Sequence, residues 1–484
     1  MNYKMIGRVN ALILAVEAAF MFPALLICLW DRDFPTALAF WHSILLTLAA
    51  SGILALFSRK ARRGFYAREG LVCVGISWII MSLLGCLPFY LSGQIPHYID
   101  ALFEIVSGFT TTGASVVADV EVLTRGVLYW RSFSHWLGGM GVLVFLLAII
   151  PLSGRNDGFT MHLLRAESPG PNVGKLVPRM RQTAMILYLI YILLTILTVL
   201  FLLAGKMPLF DAVCTAFGTA GTGGFGIKSD SMAGYSPYLQ NVCTVFMLLF
   251  GVNFSCYFLL LLRRFRSVWQ DEELRIYLAF FVGSTALITW NLRGFYETIG
   301  ETVRHAAFQV SSIMTTTGFA TVDFDAWPSF SKAILLCLMI VGACAGSTGG
   351  GMKCIRVLLL LKIMRRNIQQ VLHPQKIQVI RVNGQVMSEK ILGNTNAYLA
   401  AYVVIVISSF LIVSLDGFSI TTNLSAVLAC FNNIGPGLEL VGPAGNFGSF
   451  SILSKLVLIL NMLAGRLEIF PMLVLLSRST WKHQ

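Results

Sequence analysis

Apolar residues in this chain form runs of two distinct lengths, separated by short polar or charged stretches. The longer runs have about twenty residues or more, enough for an α-helix to cross the hydrocarbon core of a bilayer. They lie at 9–30, 34–57, 71–92, 127–152, 183–204, 238–262, 275–292, 331–363, 398–415 and 450–476. The shorter runs, at 100–109, 209–219, 302–314 and 421–431, are too short to span. The pattern predicts ten spanning helices and four short helices that enter the membrane and turn back.

Each short run ends in a segment that disfavours helix. Threonine loses side-chain freedom in a helix, and glycine adopts positive φ without strain. The four segments are Thr110, Thr111, Thr112 and Gly113; Ala220, Gly221, Thr222 and Gly223; Thr315, Thr316, Thr317 and Gly318; and Asn432, Asn433, Ile434 and Gly435. The sequence therefore predicts an extended backbone after each short helix.

Extended backbone at membrane depth exposes carbonyl groups, and it is tolerated only inside protein or along a cavity. Four such segments around one axis would form rings of carbonyl and hydroxyl oxygens that can replace the water around a bare cation. A simple turn between two helices is the alternative for a single copy. Four equivalent copies favour a selectivity filter.

The third return run, 331–363, contains an unusual concentration of glycine. The residues concerned are Gly346, Ser347, Thr348, Gly349, Gly350 and Gly351, followed by Lys353. Each glycine costs about 1 kcal/mol relative to alanine in a helix, so the run is expected to break below the filter and form a flexible constriction. Close helix packing through small residues is an alternative. A phosphate-binding loop is excluded because the required spacing is absent.

Arg466 lies within the last long run and has apolar neighbours on both sides. Glu468 is two positions away and therefore occupies a different helix face. A charge at this depth usually faces an interior cavity. We interpret Arg466 as a fixed positive charge that gates the ion path. The alternative is a structural arginine paired with a carboxylate on a neighbouring helix.

Composition supports a membrane protein. Of the 484 residues, 56% are hydrophobic and only 12% are charged, whereas soluble domains carry about 25% charged residues. The net charge of +13 could indicate a nucleic-acid partner, but the basic residues lie between apolar runs. The ten cysteines and seven histidines show no metal-binding spacing.

Basic residues also predict the orientation of the chain. They cluster in the loops at 58–69, 153–182 and 364–393 and after the last run. The positive-inside rule places these loops and both termini in the cytoplasm. Acidic residues concentrate on the opposite side, as solvated surface or as a negative vestibule that attracts cations. The predicted division is two additional N-terminal helices in 1–69, then repeats at 70–182, 183–274, 275–393 and 394–484.

Three motifs within this four-fold layout resemble one family: Thr-Thr-Thr-Gly-Phe at 315–319, Ala-Gly-Ser-Thr-Gly-Gly-Gly-Met-Lys at 345–353 and Gly-Arg-Leu-Glu at 465–468. The chain resembles the TrkH-type potassium uptake proteins, whose superfamily also contains the KtrB and plant HKT transporters. The two additional N-terminal helices favour the Trk branch. The resemblance implies an all-α polytopic membrane protein with four M1–pore loop–M2 units around a central pore, assembled as a homodimer.

The resemblance also implies roles for individual residues. Filter glycines would be Gly113, Gly223, Gly318 and Gly435, with a gating loop at 342–351 and Arg466 as the pore arginine. By analogy with the plant members, glycine at 113 is the potassium-selective form. The second and fourth segments depart from Thr-Thr-Thr-Gly, which weakens the four-fold symmetry.

The same resemblance implies a bacterial inner-membrane location and a cytosolic TrkA-type partner ring that binds NAD or ATP. K⁺, and Rb⁺ as its analogue, would be the transported ion, with no nucleotide bound by this chain and no nucleic-acid partner. A Na⁺- or H⁺-coupled K⁺ symporter, or a Na⁺-permeable pathway, shares these motifs. An intramembrane hydrolase using Ser347 is a remote alternative, since the first glycine of G-x-S-x-G is absent. The sequence thus predicts a transport protein and not an enzyme.

Overall fold

The computed structural model of the chain describes residues 1–59, 67–141, 180–376 and 378–481. Within these ranges the regular structure is helical, apart from a two-stranded antiparallel hairpin formed by β1 (Arg381–Val382) and β2 (Gln385–Val386). This architecture confirms the predicted all-α class. The basic residues at 60–63, the loop at 153–179 and the second half of the first return run lie outside the described residues.

The first two helices form an antiparallel pair at the N-terminus. Helix α1 (Tyr3–Trp30) and helix α2 (Phe34–Phe57) are joined by a short turn. The Asp33 carboxylate accepts a hydrogen bond from the Thr36 amide at 3.3 Å and so caps α2. Arg125 pairs with Asp31 in the same turn at 3.0 Å, which ties this pair of helices to the rest of the chain.

The other helices follow a repeated order of long helix, short helix and return helix. They are α3 (Ala67–Gly85), α4 (Leu87–Leu91), α5 (Tyr98–Phe109), α6 (Arg125–Gly139), α7 (Met180–Ala204), α8 (Leu209–Gly221), α9 (Pro237–Phe250), α10 (Phe254–Leu261), α11 (Phe265–Trp269), α12 (Glu272–Asn291), α13 (Ile299–Met314), α14 (Ser329–Val341), α15 (Cys354–Leu372), α16 (Glu389–Val413), α17 (Ile420–Phe431), α18 (Ile452–Arg466), α19 (Phe470–Leu476) and α20 (Arg478–Trp481). The four short helices α5, α8, α13 and α17 coincide with the four short apolar runs of the sequence.

Fewer uninterrupted spans are present than the ten predicted. In the described part of the chain, five helical stretches are long and apolar enough to cross a membrane, and a bent pair would make a sixth. The five are Tyr3–Trp30, Phe34–Phe57, Arg68–Leu91, Ala184–Ala204 and Glu389–Asp416. The difference arises mainly in the return runs, each of which divides into two helices wherever it is described in full.

The three return runs that are described in full all contain a break. Helices α9 and α10 meet at 88°, α14 and α15 are separated by 342–353, and α18 and α19 by 467–469. The sequence prediction of continuous helices in the second and fourth return runs is therefore wrong. Asn253 caps α10 by accepting from the Ser255 amide at 2.9 Å, and Pro471 lies in the first turn of α19. Both residues are typical of helix starts.

Breaking a helix inside a membrane leaves backbone groups that must find other partners. The second and third return runs supply these partners to each other. The Phe254 amide donates to the Gly346 carbonyl at 3.0 Å, and the Cys344 amide donates to the Gly251 carbonyl at 3.1 Å. The breaks in the second and third return runs are therefore hydrogen-bonded to each other.

Candidate functional site

The four short helices end in the same backbone turn. In each, a left-handed residue is followed two positions later by a glycine with positive φ. The pairs are Thr111 and Gly113 (φ 55° and 82°), Thr222 and Gly224 (53° and 76°), Thr316 and Gly318 (60° and 84°), and Asn433 and Gly435 (56° and 96°). The residue between them donates its amide to the carbonyl five positions earlier: Thr112 to Ser107 at 2.8 Å, Gly223 to Gly218 at 2.9 Å, Thr317 to Ser312 at 2.8 Å, and Ile434 to Ala429 at 2.9 Å.

This repeated geometry corrects the predicted second segment by one residue. When the left-handed residues are aligned, Gly221 corresponds to Thr110, and Ala220 precedes the segment within α8. Gly224, rather than Gly223, has the conformation shared by the other three glycines. We call 110–113, 221–224, 315–318 and 432–435 turn segments 1 to 4. The other predicted filter residues all lie in these segments.

The turn segments close into a ring in the order 1, 2, 3, 4. A Cβ atom on Gly113 would overlap the carbonyl oxygen of Gly223 in segment 2, and one on Gly224 would overlap that of Thr317 in segment 3. A Cβ on Gly318 would overlap the carbonyl oxygen of Ile434 in segment 4. One on Gly435 would approach the carbonyl oxygen of Thr112 to 2.8 Å, which returns to segment 1. Each glycine is therefore required by the backbone of the next segment.

All four ring glycines line a single cavity of about 110 Å³. Because one water molecule needs about 10–15 Å³ on this measure, the cavity has room for several. Its charged lining residues, among those described, are Arg131 and Lys228. Ser229, another lining residue, donates its hydroxyl to Asp119 at 2.7 Å and its amide to Glu121 at 3.1 Å. The negative vestibule stays a prediction from the sequence.

Side-chain hydrogen bonds hold the segments internally and to one another. The hydroxyls of Thr110 and Thr112 are 2.8 Å apart, as are those of Thr315 and Thr317. In segment 4, Asn433 donates its side-chain amide to the Thr112 hydroxyl at 2.9 Å. The asparagine that departs from the threonine pattern thus links segments 4 and 1.

A buried ion pair between α5 and α6 lies next to segment 1. Glu104 on α5 and Arg131 on α6 are 2.5 Å apart, with side chains 0% and 3% exposed. Glu104 also accepts from the Val116 amide at 3.0 Å, and Arg131 donates to the Gly226 carbonyl at 2.9 Å. The pair therefore fixes the chain that leaves segment 1 and the chain that leaves segment 2. Sequence analysis did not assign it a role.

The non-helical loop 342–353 lies against the turn segments, and its residues are not among those that line the cavity. The Gly350 amide donates to the Thr316 hydroxyl of segment 3 at 2.6 Å. A Cβ on Gly350 would lie 2.5 Å from the Asn432 carbonyl oxygen of segment 4. The loop therefore touches two adjacent segments. Close packing of continuous helices, one of the alternatives for these glycines, is excluded by the absence of helix in 342–353.

The loop is fixed at its base by charged and polar groups. Glu273 at the start of α12 accepts from the Ala345 amide at 2.6 Å and from the Ile355 amide at 3.1 Å. Lys353 is buried and donates to the Gly349 carbonyl. The Ser347 hydroxyl donates to the Cys344 carbonyl at 2.6 Å, so it is engaged within the loop. The predicted gate residues 346–351 and Lys353 are therefore neighbours in one structure.

Arg466, the last residue of α18, reaches the loop from another repeat. Its guanidinium donates to the Thr348 carbonyl at 2.8 Å and to the Gly139 carbonyl at 2.6 Å, with a further bond to Gly138. It therefore connects the loop, the end of α6 and the fourth return run. Glu468 lies in the break after α18 and pairs instead with Arg356 on α15.

Comparison with known proteins agrees with this architecture. The family model described as "TrkH: Cation transport protein" matches residues 37–482. The Trk system potassium uptake protein TrkH of Salmonella typhimurium is 36% identical over 492 residues and covers 100% of both chains. TrkG of Escherichia coli is 32% identical over 469 residues, with 96% of this chain and 95% of that protein covered.

A solved structure gives the same result. The crystal structure of the potassium transporter TrkH from Vibrio parahaemolyticus superposes with a TM-score of 0.86 at 32% identity and covers 100% of both chains. These relatives are named as transport proteins rather than enzymes, which removes the hydrolase alternative for Ser347. The chain is a multi-pass membrane protein, and it belongs to the TrkH family of cation transport proteins.

Proposed function

We propose that this chain takes up K⁺ across the bacterial cytoplasmic membrane and that the ring of turn segments selects the ion. Relatives that match the whole chain are named potassium uptake proteins, which supports K⁺ as the cargo. The observation that carries the proposal is the closure of the four turn segments into one ring, with all four glycines at the floor of one cavity.

The ring offers suitable chemistry for a monovalent cation. Carbonyl oxygens of Thr112, Gly223, Thr317 and Ile434 lie where adjacent segments meet. Oxygens of this kind can replace the hydration shell of K⁺. The C-termini of α5, α8, α13 and α17 all end at the ring, and the partial negative charge of a helix C-terminus favours a cation. We assign the filter to segments 110–113, 221–224, 315–318 and 432–435.

The loop 342–353 and Arg466 are proposed as the gate. The loop contacts segments 3 and 4, and Arg466 places a fixed positive charge beside it. Passage of an ion then requires the loop to move, which breaks the bond between Gly350 and Thr316 or that between Arg466 and Thr348. Removal of these bonds favours the open state.

The cavity is proposed to face the outside, with both termini in the cytoplasm, because the basic loops predict that orientation. We further propose a homodimer that binds a cytosolic TrkA-type ring, which senses NAD or ATP. Support comes from the names of the relatives as components of a Trk system. On this proposal, nucleotide control belongs to the ring and not to this chain.

Ion flux into liposomes containing the purified protein tests the proposal. We expect K⁺ and Rb⁺ flux well above Na⁺ flux under equal imposed gradients, with protein-free liposomes as the control. Equal flux of Na⁺ would contradict the assigned selectivity. Accumulation of K⁺ against its own gradient, driven by an imposed H⁺ or Na⁺ gradient at zero membrane potential, would instead establish coupled symport.

A further inference from the structure

Turn segment 2 lacks the threonine hydroxyls that stabilise segments 1 and 3. Thr110 and Thr112 form a hydroxyl pair in segment 1, and Thr315 and Thr317 form one in segment 3, each at 2.8 Å. The equivalent positions in segment 2 are occupied by Gly221 and Gly223, if the left-handed residues are aligned. Two glycines cannot form such a pair, and the Thr222 hydroxyl between them donates to the Gly221 carbonyl at 2.6 Å.

His135 from α6 lies beside these two glycines. Its ring is fully buried and packs against Phe225, the residue that follows segment 2, with ring centroids 4.1 Å apart and planes tilted by 48°. The Nδ1 atom is 3.0 Å from the Gly108 carbonyl oxygen of α5, and the Nε2 atom is 3.3 Å from the Phe225 amide nitrogen. One imidazole therefore connects short helix α5 to the backbone of the second segment.

The two partners fix the protonation of this ring. A carbonyl oxygen can only accept a hydrogen bond, so Nδ1 carries the proton that is donated to Gly108. A backbone amide can only donate, so Nε2 accepts from Phe225 and carries no proton. His135 is consequently a neutral imidazole with one defined tautomer. Loss of the Nε2 acceptor would remove the hydrogen bond of the buried Phe225 amide, whereas the Gly108 carbonyl would still accept from the Thr111 amide at 3.0 Å.

The ring also explains the glycine at 223. The three atoms nearest to a Cβ on Gly223 all belong to the His135 ring, and Gly223 does not have the positive φ of Gly224. Removal of the His135 ring would therefore remove the three closest obstacles to a side chain at 223. A Cβ on Gly221, in contrast, would meet the backbone carbonyl of His135. No change of the histidine side chain can relieve that overlap.

We propose that His135 is the positioning residue of turn segment 2, where its imidazole performs the role that threonine hydroxyls have in segments 1 and 3. This inference rests on the proposed function, because it assigns His135 a part in discrimination between K⁺ and Na⁺. By holding the Phe225 amide, His135 fixes the Gly223 carbonyl against Gly113. Turn segment 2 thereby keeps the same backbone geometry as turn segments 1, 3 and 4.

Two substitutions separate positioning from simple packing. His135→Gln retains one donor and one acceptor, whereas His135→Leu fills similar volume without either. An unsatisfied buried amide costs enough to change an equilibrium by about tenfold. We expect the ratio of K⁺ to Na⁺ flux in liposomes to fall by about tenfold in His135→Leu and by less than about threefold in His135→Gln. An unaltered ratio in His135→Leu would overturn the proposal.

A compensation experiment keeps the inference testable if His135→Leu does not fold. Gly223→Ala and Gly221→Ala are each expected to reduce K⁺ flux, measured per correctly inserted protein. Addition of His135→Ala should restore flux in Gly223→Ala at least in part, because the ring that meets the new methyl group is gone. It should not restore Gly221→Ala, whose methyl group meets a backbone oxygen. Equal behaviour of the two pairs would contradict the assignment.

The wild-type protein distinguishes failure of this inference from failure of the proposed function. If wild-type protein does not favour K⁺ over Na⁺, the filter assignment and the role of His135 are both wrong. If wild-type protein is selective and His135→Leu is equally selective, the filter assignment stands and only the role of His135 is wrong.

Discussion

The backbone amide of Gly350 donates a hydrogen bond to the side-chain hydroxyl of Thr316 at 2.6 Å. Thr316 is the left-handed residue of turn segment 3, and Gly350 belongs to the loop 342–353 that breaks the third return run. A residue of the proposed filter and a residue of the proposed gate are thus in direct contact, and the filter residue makes this contact with its side chain rather than its backbone.

Replacement of Thr316 by valine should loosen this contact. Valine keeps the branched shape but removes the acceptor, so the Gly350 amide remains buried without its partner. That loss costs about 1–3 kcal/mol. In the described part of the chain, the equivalent hydroxyl of Thr111 has no hydrogen-bond partner, which makes Thr111→Val a matched control. We expect the thermal midpoint in detergent to fall clearly in Thr316→Val and much less in Thr111→Val. Equal midpoints would show that the contact adds no stability.

Arg466 is expected to restrain basal flux. Its planar guanidinium donates to carbonyl groups of Thr348 and Gly139 in different repeats, and such charge-assisted bonds contribute about 1.5–3 kcal/mol each. Arg466→Ala should therefore raise K⁺ flux in the absence of any partner protein, by about tenfold if one bond limits opening. Arg466→Lys should give an intermediate K⁺ flux, since an ammonium group cannot place several N–H donors in the planar arrangement of a guanidinium.

The measurement is ⁸⁶Rb⁺ uptake into liposomes at matched protein density. Unchanged or lower flux in Arg466→Ala, with normal insertion into the membrane, would remove Arg466 from the gate. A structural role alone would lower the thermal midpoint without an increase in flux.

Much of the fold follows from local sequence features. The four short helices were predictable because their length and the Thr-Gly residues at their ends are both local properties. Breaks in the second and fourth return runs were missed, although Asn253 and Pro471 are signals for a new helix start. The runs are apolar on both sides of these residues, and hydropathy alone does not distinguish one continuous helix from two consecutive helices.

Other parts of the site could not be predicted from local sequence. Gly221, Thr222, Gly223 and Gly224 permit two alignments of similar composition, and packing of Gly224 against segment 3 decides between them. The partners Glu104 and Arg131 are 27 residues apart, and Glu273 and Ala345 are 72 residues apart. Neither pair leaves a pattern in the sequence, since only the folded chain brings its members together.

The ion pair between Glu104 and Arg131 should be strongly coupled. Removal of one partner from a buried ion pair costs about 3–5 kcal/mol because the other charge is left uncompensated. Glu104→Leu and Arg131→Met are each expected to lower the thermal midpoint sharply, whereas the double variant should be more stable than the sum of the two effects predicts. The pair Asp100 and Lys455, with side chains 21% and 7% exposed, is the control and should show weaker coupling. Additive effects at Glu104 and Arg131 would contradict a direct interaction.

Alanine substitution can test whether Gly224 is the glycine of turn segment 2 that corresponds to Gly318. Gly224 has φ 76° and Gly318 has φ 84°, and the Cβ position of each overlaps a carbonyl of the next segment. Alanine at a left-handed position costs about 1–2 kcal/mol before any overlap is counted. Gly224→Ala and Gly318→Ala should therefore both reduce K⁺ flux by about tenfold or more, whereas Gly300→Ala, at a position with open space, should not.

Gly113→Ser tests the same geometry in segment 1 and should lower the ratio of K⁺ to Na⁺ flux. The decisive comparison is between Gly223→Ala and Gly224→Ala when each is combined with His135→Ala. Flux should recover only in the Gly223 pair, because its obstacle is a side chain and the obstacle at Gly224 is the Thr317 backbone. Recovery at Gly224, with none at Gly223, would support the alignment predicted from the sequence, in which Gly223 rather than Gly224 corresponds to Gly113.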